Sequence, residues 1–191
     1  MNFSKGKVRI IAGEYRGRRL PVADLPGLRP TPDRVRETLF NWLGQWLDGR
    51  TCLDLFAGSG ALGFEAASRG AARVVLVENS RAAFQALERS AELLRARIDL
   101  VFGDAFDYLA RAEQRFDVVF LDPPFGQNAL PAALERLPRV LAPHARVYLE
   151  NSQPLQAPPG FRSLKNDRAG QVHYQLLEWR ADDQGGIPGN V

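Results

Sequence analysis

The sequence predicts an α/β protein built on a doubly wound, mostly parallel sheet. Three observations predict it. From residue 51 onward short apolar runs alternate with amphipathic helical stretches, the first run breaks into closely spaced glycines before a helix, and carboxylates recur just past the runs. At 191 residues the chain has the length of one domain and can bury about 70% of its unfolded surface.

Residues 6 to 22 alternate apolar and basic residues around glycines, which predicts a small hairpin with Arg16, Arg18 and Arg19 on its exposed face and Tyr15 beside them. Residues 1 to 50 carry ten Lys or Arg against five Asp or Glu, whereas the rest carries fifteen against seventeen, so the net charge of +3 hides a basic N-terminal quarter. Such a face suits a polyanion, and nucleic acid is favoured over a merely solvated surface. A Pro- and Gly-bearing connector over 24 to 30 leads to Thr31, placed to cap a helix that begins at Pro32. Val35, Leu39, Trp42, Leu43, Trp46 and Leu47 share one stripe of that helix, so both tryptophans read as core. Basic charge then faces outward at Arg34 and Arg36, beside Arg29.

The alternation continues as strand 51 to 56, helix 61 to 69, strand 73 to 78, helix 80 to 96, strand 98 to 102, helix 105 to 111, strand 116 to 121, helix 128 to 138 and strand 145 to 150. Two extended runs, 161 to 166 and 172 to 180, meet around Ala169-Gly170 and predict an antiparallel edge hairpin that completes seven strands. The organisation expected is a basic extension over 1 to 30, the main domain over 31 to 180 and a disordered tail over 181 to 191. The one cysteine, Cys52, leaves no internal disulfide, and without a signal peptide or long apolar span the expected location is the cytoplasm, with no membrane partner. No metal-ligand cluster is visible, and none is expected.

In a doubly wound sheet a ligand sits outside the carboxyl ends of the strands, near the point where strand order reverses. Residues just past the strands therefore carry the chemistry. Gly58 and Gly60 permit a tight turn and close backbone approach, and a helix starts at Ala61. Gly58, Gly60 and Gly63 match G-x-G-x-x-G, which alone would also suit an NAD-dependent oxidoreductase. Asp54 argues against that, because a carboxylate repels phosphate and suits an ammonium group. Neither His144 nor His173 stands at a strand end for proton transfer. Glu78 ends the next strand, where it can accept both hydroxyls of a ribose, and Asp104 is placed for an exocyclic adenine amine or for capping a helix. Together they outline an adenosine.

The fourth acid opens Asp122-Pro123-Pro124-Phe125. Two prolines after a strand make a rigid turn without N–H donors, so acceptors dominate, and Phe125 offers a stacking plane. This is a receptor for an aromatic NH2 held in line with an electrophile, and positioning of that kind supplies about 7 to 11 kcal/mol.

These motifs resemble those of class I S-adenosylmethionine-dependent methyltransferases: Asp54-Leu-Phe-Ala-Gly-Ser-Gly the cofactor loop, Asp122-Pro-Pro-Phe the signature of amino-group methylators. More narrowly, Gly13-Glu-Tyr-Arg-Gly-Arg-Arg-Leu and Arg29-Pro-Thr-Pro-Asp-Arg-Val-Arg-Glu-Thr-Leu-Phe-Asn resemble the bacterial 16S rRNA guanine-N2 methyltransferases, over roughly residues 7 to 180. The resemblance implies a Rossmann-like methyltransferase sheet, S-adenosylmethionine as cofactor, and methylation of a guanine N2 in 16S rRNA on an assembled or partly assembled small subunit. It implies that Asp54, Ala57, Gly58 and Gly60 line the methionine end, Glu78 holds the ribose, Asp104 and Ala105 hold the adenine, and Asp122, Pro123, Pro124 and Phe125 hold the amine. Arg16, Arg18, Arg19, Arg29, Arg34 and Arg36 are the expected RNA contacts. The nearer alternative keeps the chemistry and changes the acceptor to adenine N6 in DNA; the compact chain and its arginine hairpin favour RNA.

Overall fold

A computed structural model describes residues 6–28, 30–123 and 129–181. In chain order its elements are β1 (Lys7–Arg9), β2 (Arg19–Pro21), α1 (Asp33–Leu43), β3 (Thr51–Asp54), α2 (Ala61–Ser68), β4 (Arg73–Glu78), α3 (Arg81–Leu94), β5 (Asp99–Phe102), α4 (Ala105–Arg111), β6 (Phe116–Leu121), α5 (Ala129–Arg136), β7 (Leu141–Asn151), β8 (Phe161–Ala169) and β9 (Val172–Trp179). A seven-stranded sheet runs in the order β5-β4-β3-β6-β7-β9-β8. The first five of these strands are parallel, while β9 pairs antiparallel with β7 and with the edge strand β8. The predicted architecture is therefore the observed one. Among the described residues no helix is long and apolar enough to cross a membrane.

Each face of the sheet carries its own apolar cluster, as crossover helices on both sides require. One cluster joins Cys52, Leu76, Phe120 and Tyr148 to α1, α2, α3 and the β1–β2 hairpin; the other joins Leu53, Val75 and Val119 to α4 and α5. Ser80 caps α3 by accepting from the Ala83 amide, and Phe84, Leu87 and Leu94 are buried beneath it, as the helical spacing predicts.

The structure departs from the sequence expectation around α1. The helix stops at Leu43 because Gly44 adopts φ 103° and its N–H turns back to the Asn41 and Phe40 carbonyls. Trp46 therefore lies beyond the helix and is 60% exposed, not core, although Leu47 is buried. Trp42 stacks on Tyr174 with ring centroids 5.3 Å apart. Thr31 does not cap the helix: Pro32 holds that position, without a side-chain cap bond. β7 begins at Leu141, opposite Phe116, ahead of an irregularity in register between Phe116 and Val118, which makes it longer than the predicted 145 to 150. Of the expected disordered tail, residues 182–191 lie outside the described residues.

The N-terminal hairpin belongs to the same core, since Val8, Ile10, Leu20 and Val22 pack with Phe64 and Leu87. What locks it in place is Glu65, in the middle of α2 and 0% exposed. Its carboxylate accepts from the backbone amides of Ile11 (2.8 Å) and Ala12 (3.0 Å) and pairs with Arg36 (3.2 Å) and Arg69 (2.9 Å). Arg36, itself 1% exposed, also donates to the carbonyls of Thr31 and Arg9 and to Asp33. Gly13 lies against the end of α2, where a Cβ would meet the Ser68 carbonyl oxygen at 1.7 Å, so only glycine fits there.

Removing one member of such a buried network leaves the others uncompensated, at a cost of about 3 to 5 kcal/mol. Glu65→Ala should lose stability on that scale in urea denaturation and should expose the Ile11 and Ala12 amides to hydrogen exchange. A loss below about 1 kcal/mol would show that the network carries little of the fold.

Candidate active site

The chain steps outward from β3 to β4 and β5 in one direction and from β6 to β7 in the other, so strand order reverses between β3 and β6. A crevice opens at the carboxyl ends of strands at such a point. Asp54 ends β3 and Asp122 follows β6, which places both acids at its walls.

The glycine loop is held from both sides. The Leu55 amide donates to the Phe120 carbonyl and the Ala57 amide to the Val77 carbonyl, tying the loop to β6 and β4. Gly58 and Gly60 take φ of 52° and 73°, left-handed values that suit glycine. The Gly58 amide donates to Glu78 Oε2 (2.8 Å), whose Oε1 accepts from the Ser80 amide (2.6 Å). At the start of α2 the Gly63 amide donates to Asp54 Oδ2 (2.9 Å) and the Ala61 amide to Ser59 Oγ (3.3 Å). A Cβ on Gly63 would sit 2.7 Å from Leu76 Cδ1 and 3.2 Å from Asp54 Oδ2, so the third glycine serves helix–strand packing and this bond.

The consequence is electrostatic. The backbone donors that a helix N-terminus would offer to a phosphate already face the chain's own carboxylates. Asp54, 2% exposed, has its carboxyl pushed up to about 7, first by burial and further by Glu78, against the opposing bond from Gly63. The loop is a receptor for donors and cations.

Asp104 caps α4, accepting from the amides of Phe106 (2.7 Å) and Asp107 (3.1 Å) through Oδ1, while remaining exposed at the end of β5. Both sequence readings of this residue are thus compatible with its position, and Ala105 is buried behind it. Asp122 is half-buried and Pro123 buried, whereas Pro124 and Phe125 lie outside the described residues. The Asp122 carboxyl is held well above the ordinary carboxylate range by burial, then by Glu150 and Asp54. Asp122 thus feels two further acids of the crevice, Glu150 and Asp54.

Over residues 8–178 the sequence matches the family described as Conserved hypothetical protein 95. The chain belongs to this family. A curated relative in Escherichia coli K12, named Ribosomal RNA small subunit methyltransferase D, is 44% identical over 185 residues, covering 94% of this chain and 93% of its own. The solved structure of Escherichia coli yhhF is 44% identical, with a TM-score of 0.84, covering 92% of this chain and 99% of that one. The Thermus thermophilus 16S rRNA N2 G1207 methyltransferase, solved in complex with AdoMet and guanosine, is 26% identical with a TM-score of 0.68, covering 92% of this chain and 49% of its own.

Within this Conserved hypothetical protein 95 chain the arginines expected at RNA divide. Arg16, Arg18, Arg19 and Arg34 are exposed, with Arg18 donating to the Leu93 carbonyl (3.0 Å), and Arg29 lies outside the described residues. Arg36 is a correction: its guanidinium is buried on Glu65 and faces the interior, not a polyanion.

The residue that sequence reading missed is Glu150, on β7 directly after Leu149. The signal was available, because the run 145 to 150 ends in this acid just as the other strands end in Asp54, Glu78 and Asp104. It is 7% exposed; Tyr148 donates its hydroxyl to Oε1 (2.8 Å), and the Thr31 hydroxyl lies against the same carboxylate. Burial raises its carboxyl while the two hydroxyls favour the ionised form.

Asp54 makes folding pH-dependent with a definite sign. The folded state keeps its proton up to about pH 7, whereas the unfolded carboxyl releases it near 3.8, so stability present at pH 4 is lost as pH rises to 7. Asp54→Asn should remove this slope, up to about 1.4 kcal/mol per pH unit, and gain on wild type between pH 5 and pH 8 in chemical denaturation. A variant-to-wild-type difference that does not change with pH would contradict the raised carboxyl.

Proposed function

We propose that this chain transfers a methyl group from S-adenosylmethionine to the exocyclic N2 amine of a guanine in 16S ribosomal RNA. One observation carries the reading: a glycine loop whose amides are taken by Glu78 and Asp54 and the Asp122 turn stand across a single switch point. The curated relatives are named as methyltransferases of small-subunit ribosomal RNA, which supports the substrate class.

The donor set fits this cofactor and not a dinucleotide. A pyrophosphate needs the amides at the glycine loop, and Glu78 and Asp54 occupy those of Gly58 and Gly63. A cationic nucleoside instead finds Asp54, Ala57, Gly58 and Gly60 around its methionine portion, Glu78 at its ribose, and Asp104 and Ala105 at its adenine. When bound, S-adenosylmethionine supplies an electrophilic methyl group on a sulfonium centre.

The chain's own work is to present the amine. Asp122 accepts an N–H from the target, which orients the nitrogen lone pair toward the cofactor loop, and Pro123 stiffens the turn behind it. Pro124 and Phe125 complete the pocket in this reading, Phe125 as the stacking plane for a flipped base. The N–C bond would form as the methyl–sulfonium bond breaks, leaving a neutral thioether; Asp122 would stabilise the positive charge gained by the nitrogen and take the proton it sheds. A carboxyl whose pKa is raised is the better base for that step. The exposed arginines at 16, 18 and 19, with Arg34, hold the RNA backbone, and an assembled or partly assembled small subunit is the substrate form this reading favours.

Asp122→Ala should lower methyl transfer at least about a hundredfold while leaving S-adenosylmethionine affinity nearly unchanged, read by radiolabelled methyl incorporation beside calorimetry. Equal losses in both would remove the role assigned to Asp122. Replacing Arg16, Arg18 and Arg19 together should weaken RNA binding and reduce its log–log salt slope by about 2.7 if each meets a duplex-like phosphate. Mapping N2-methylguanine in 16S rRNA with and without the protein tests the reaction itself; methyl groups found on another base would overturn it.

A further inference from the structure

We propose that Glu150 reads the Watson–Crick edge of the target base, its carboxylate accepting the N1–H of guanine beside the amine that Asp122 holds, and so selects guanine over adenine. This rests on the methyl-transfer reading above and names how that site chooses its base.

Placement comes first. β6 and β7 are parallel with Phe120 opposite Tyr148 and Leu121 opposite Leu149, so the next residues, Asp122 and Glu150, are lateral neighbours. Phe120 and Tyr148 face the same apolar cluster, and side chains alternate along a strand, so the two acids project to one side. Adjacent strands lie about 4.8 Å apart, the scale on which neighbouring groups of one base edge can each meet a carboxylate.

Partners come second. Ion pairs among the described residues include those to Glu65, Glu178, Asp33, Asp99 and Asp117. Glu150 has instead two hydroxyls, those of Tyr148 and Thr31. A carboxylate has about four acceptor positions, so two hydroxyl donors leave it able to take more. A carboxylate that is buried and held by hydroxyls among the described residues, next to a reaction centre, is a candidate for a ligand's donor. Tyr148, 0% exposed, is the positioning residue that fixes the carboxylate in place.

Chemistry comes third. Guanine presents N1–H next to its N2 amine, so a second carboxylate beside Asp122 meets a second donor. Adenine presents a bare N1 lone pair next to its N6 amine, and a carboxylate repels it. Discrimination by a buried polar group left unpaired in the wrong complex is large.

The test uses 2-aminopurine, which keeps the N2 amine but carries a lone pair at N1. Semisynthetic 16S rRNA with guanine or 2-aminopurine at the mapped nucleotide is given to wild type and to Glu150→Gln, and initial rates of methyl transfer are compared within each preparation, so that folded fraction cancels. Wild type should prefer guanine by about a hundredfold, and Glu150→Gln, whose amide can donate to the 2-aminopurine N1, should narrow the preference to below about tenfold. The missing O6 of 2-aminopurine affects both enzymes alike. Wild-type rates within about threefold on the two bases, or an unchanged ratio in Glu150→Gln, would overturn the proposal. If Glu150→Gln is inactive on both, Tyr148→Phe decides: its ratio should narrow, and an unaltered ratio likewise overturns it. No transfer to guanine N2 by wild type would instead refute the parent reading.

Discussion

The arrangement of the whole N-terminal third depends on one buried carboxylate. Glu65 takes two backbone amides from the hairpin loop, one guanidinium from α1 and one from its own helix. Buried ion pairs add little net stability against apolar side chains of the same shape, but they tolerate few geometries. Here that intolerance sets positions. It presses the hairpin loop onto α2, so that Arg16, Arg18 and Arg19 are carried on a rigid base, and through Arg36 it holds the Thr31 carbonyl. Thr31 in turn brings its hydroxyl to Glu150, beside the reacting turn. The arginine-bearing hairpin and the crevice at the switch point are thereby joined by a short chain of bonds.

A second constraint is the sign of the charge at the glycine loop. Glycine-rich turns at helix N-termini attract anions because free amides and the helix dipole point outward. In this chain Asp54 and Glu78 reach back and take those amides, so the same backbone shape presents acceptors. The glycine spacing is thus silent about the ligand. The acids flanking it reverse the sign of the charge that the loop presents.

The alternating pattern made most of the fold legible: strands at 73 to 78 and 116 to 121 and the helix at 105 to 111 fall where the apolar periodicity placed them. The strand-end acids were legible for the same reason, since a parallel sheet delivers every carboxyl end to one edge. What was not legible came from long-range pairing. Arg36 follows Val35 on a helix where Arg34 and Glu37 are exposed, and its burial depends on partners from elsewhere in the chain, Glu65 29 positions further on and the Arg9 carbonyl among them. Trp46 fitted the apolar stripe, but Gly44 ended the helix before that stripe could continue. Thr31 looked like a cap because capping is a local rule, whereas its hydroxyl serves a carboxylate on β7.

Buried acids in this molecule fall into two kinds, and the difference separates scaffold from site. Glu178 is ringed by Arg146, Arg162 and Arg180, which pull its carboxyl down to about 2; it stands opposite Arg146, four residues before Glu150 on β7, away from the crevice. Glu65 is likewise matched, by Arg36 and Arg69. Asp54, Asp122 and Glu150 are raised by burial, and their bonds come from an amide or from hydroxyls. Among the described residues the arginines serve the structural acids, while the printed bonds of the crevice acids come from amides and hydroxyls. Raised carboxyls of this kind lower folding stability as the pH rises past their ordinary range. Donors or a cation brought to those acids would offset that cost, which is what the proposed reaction would bring.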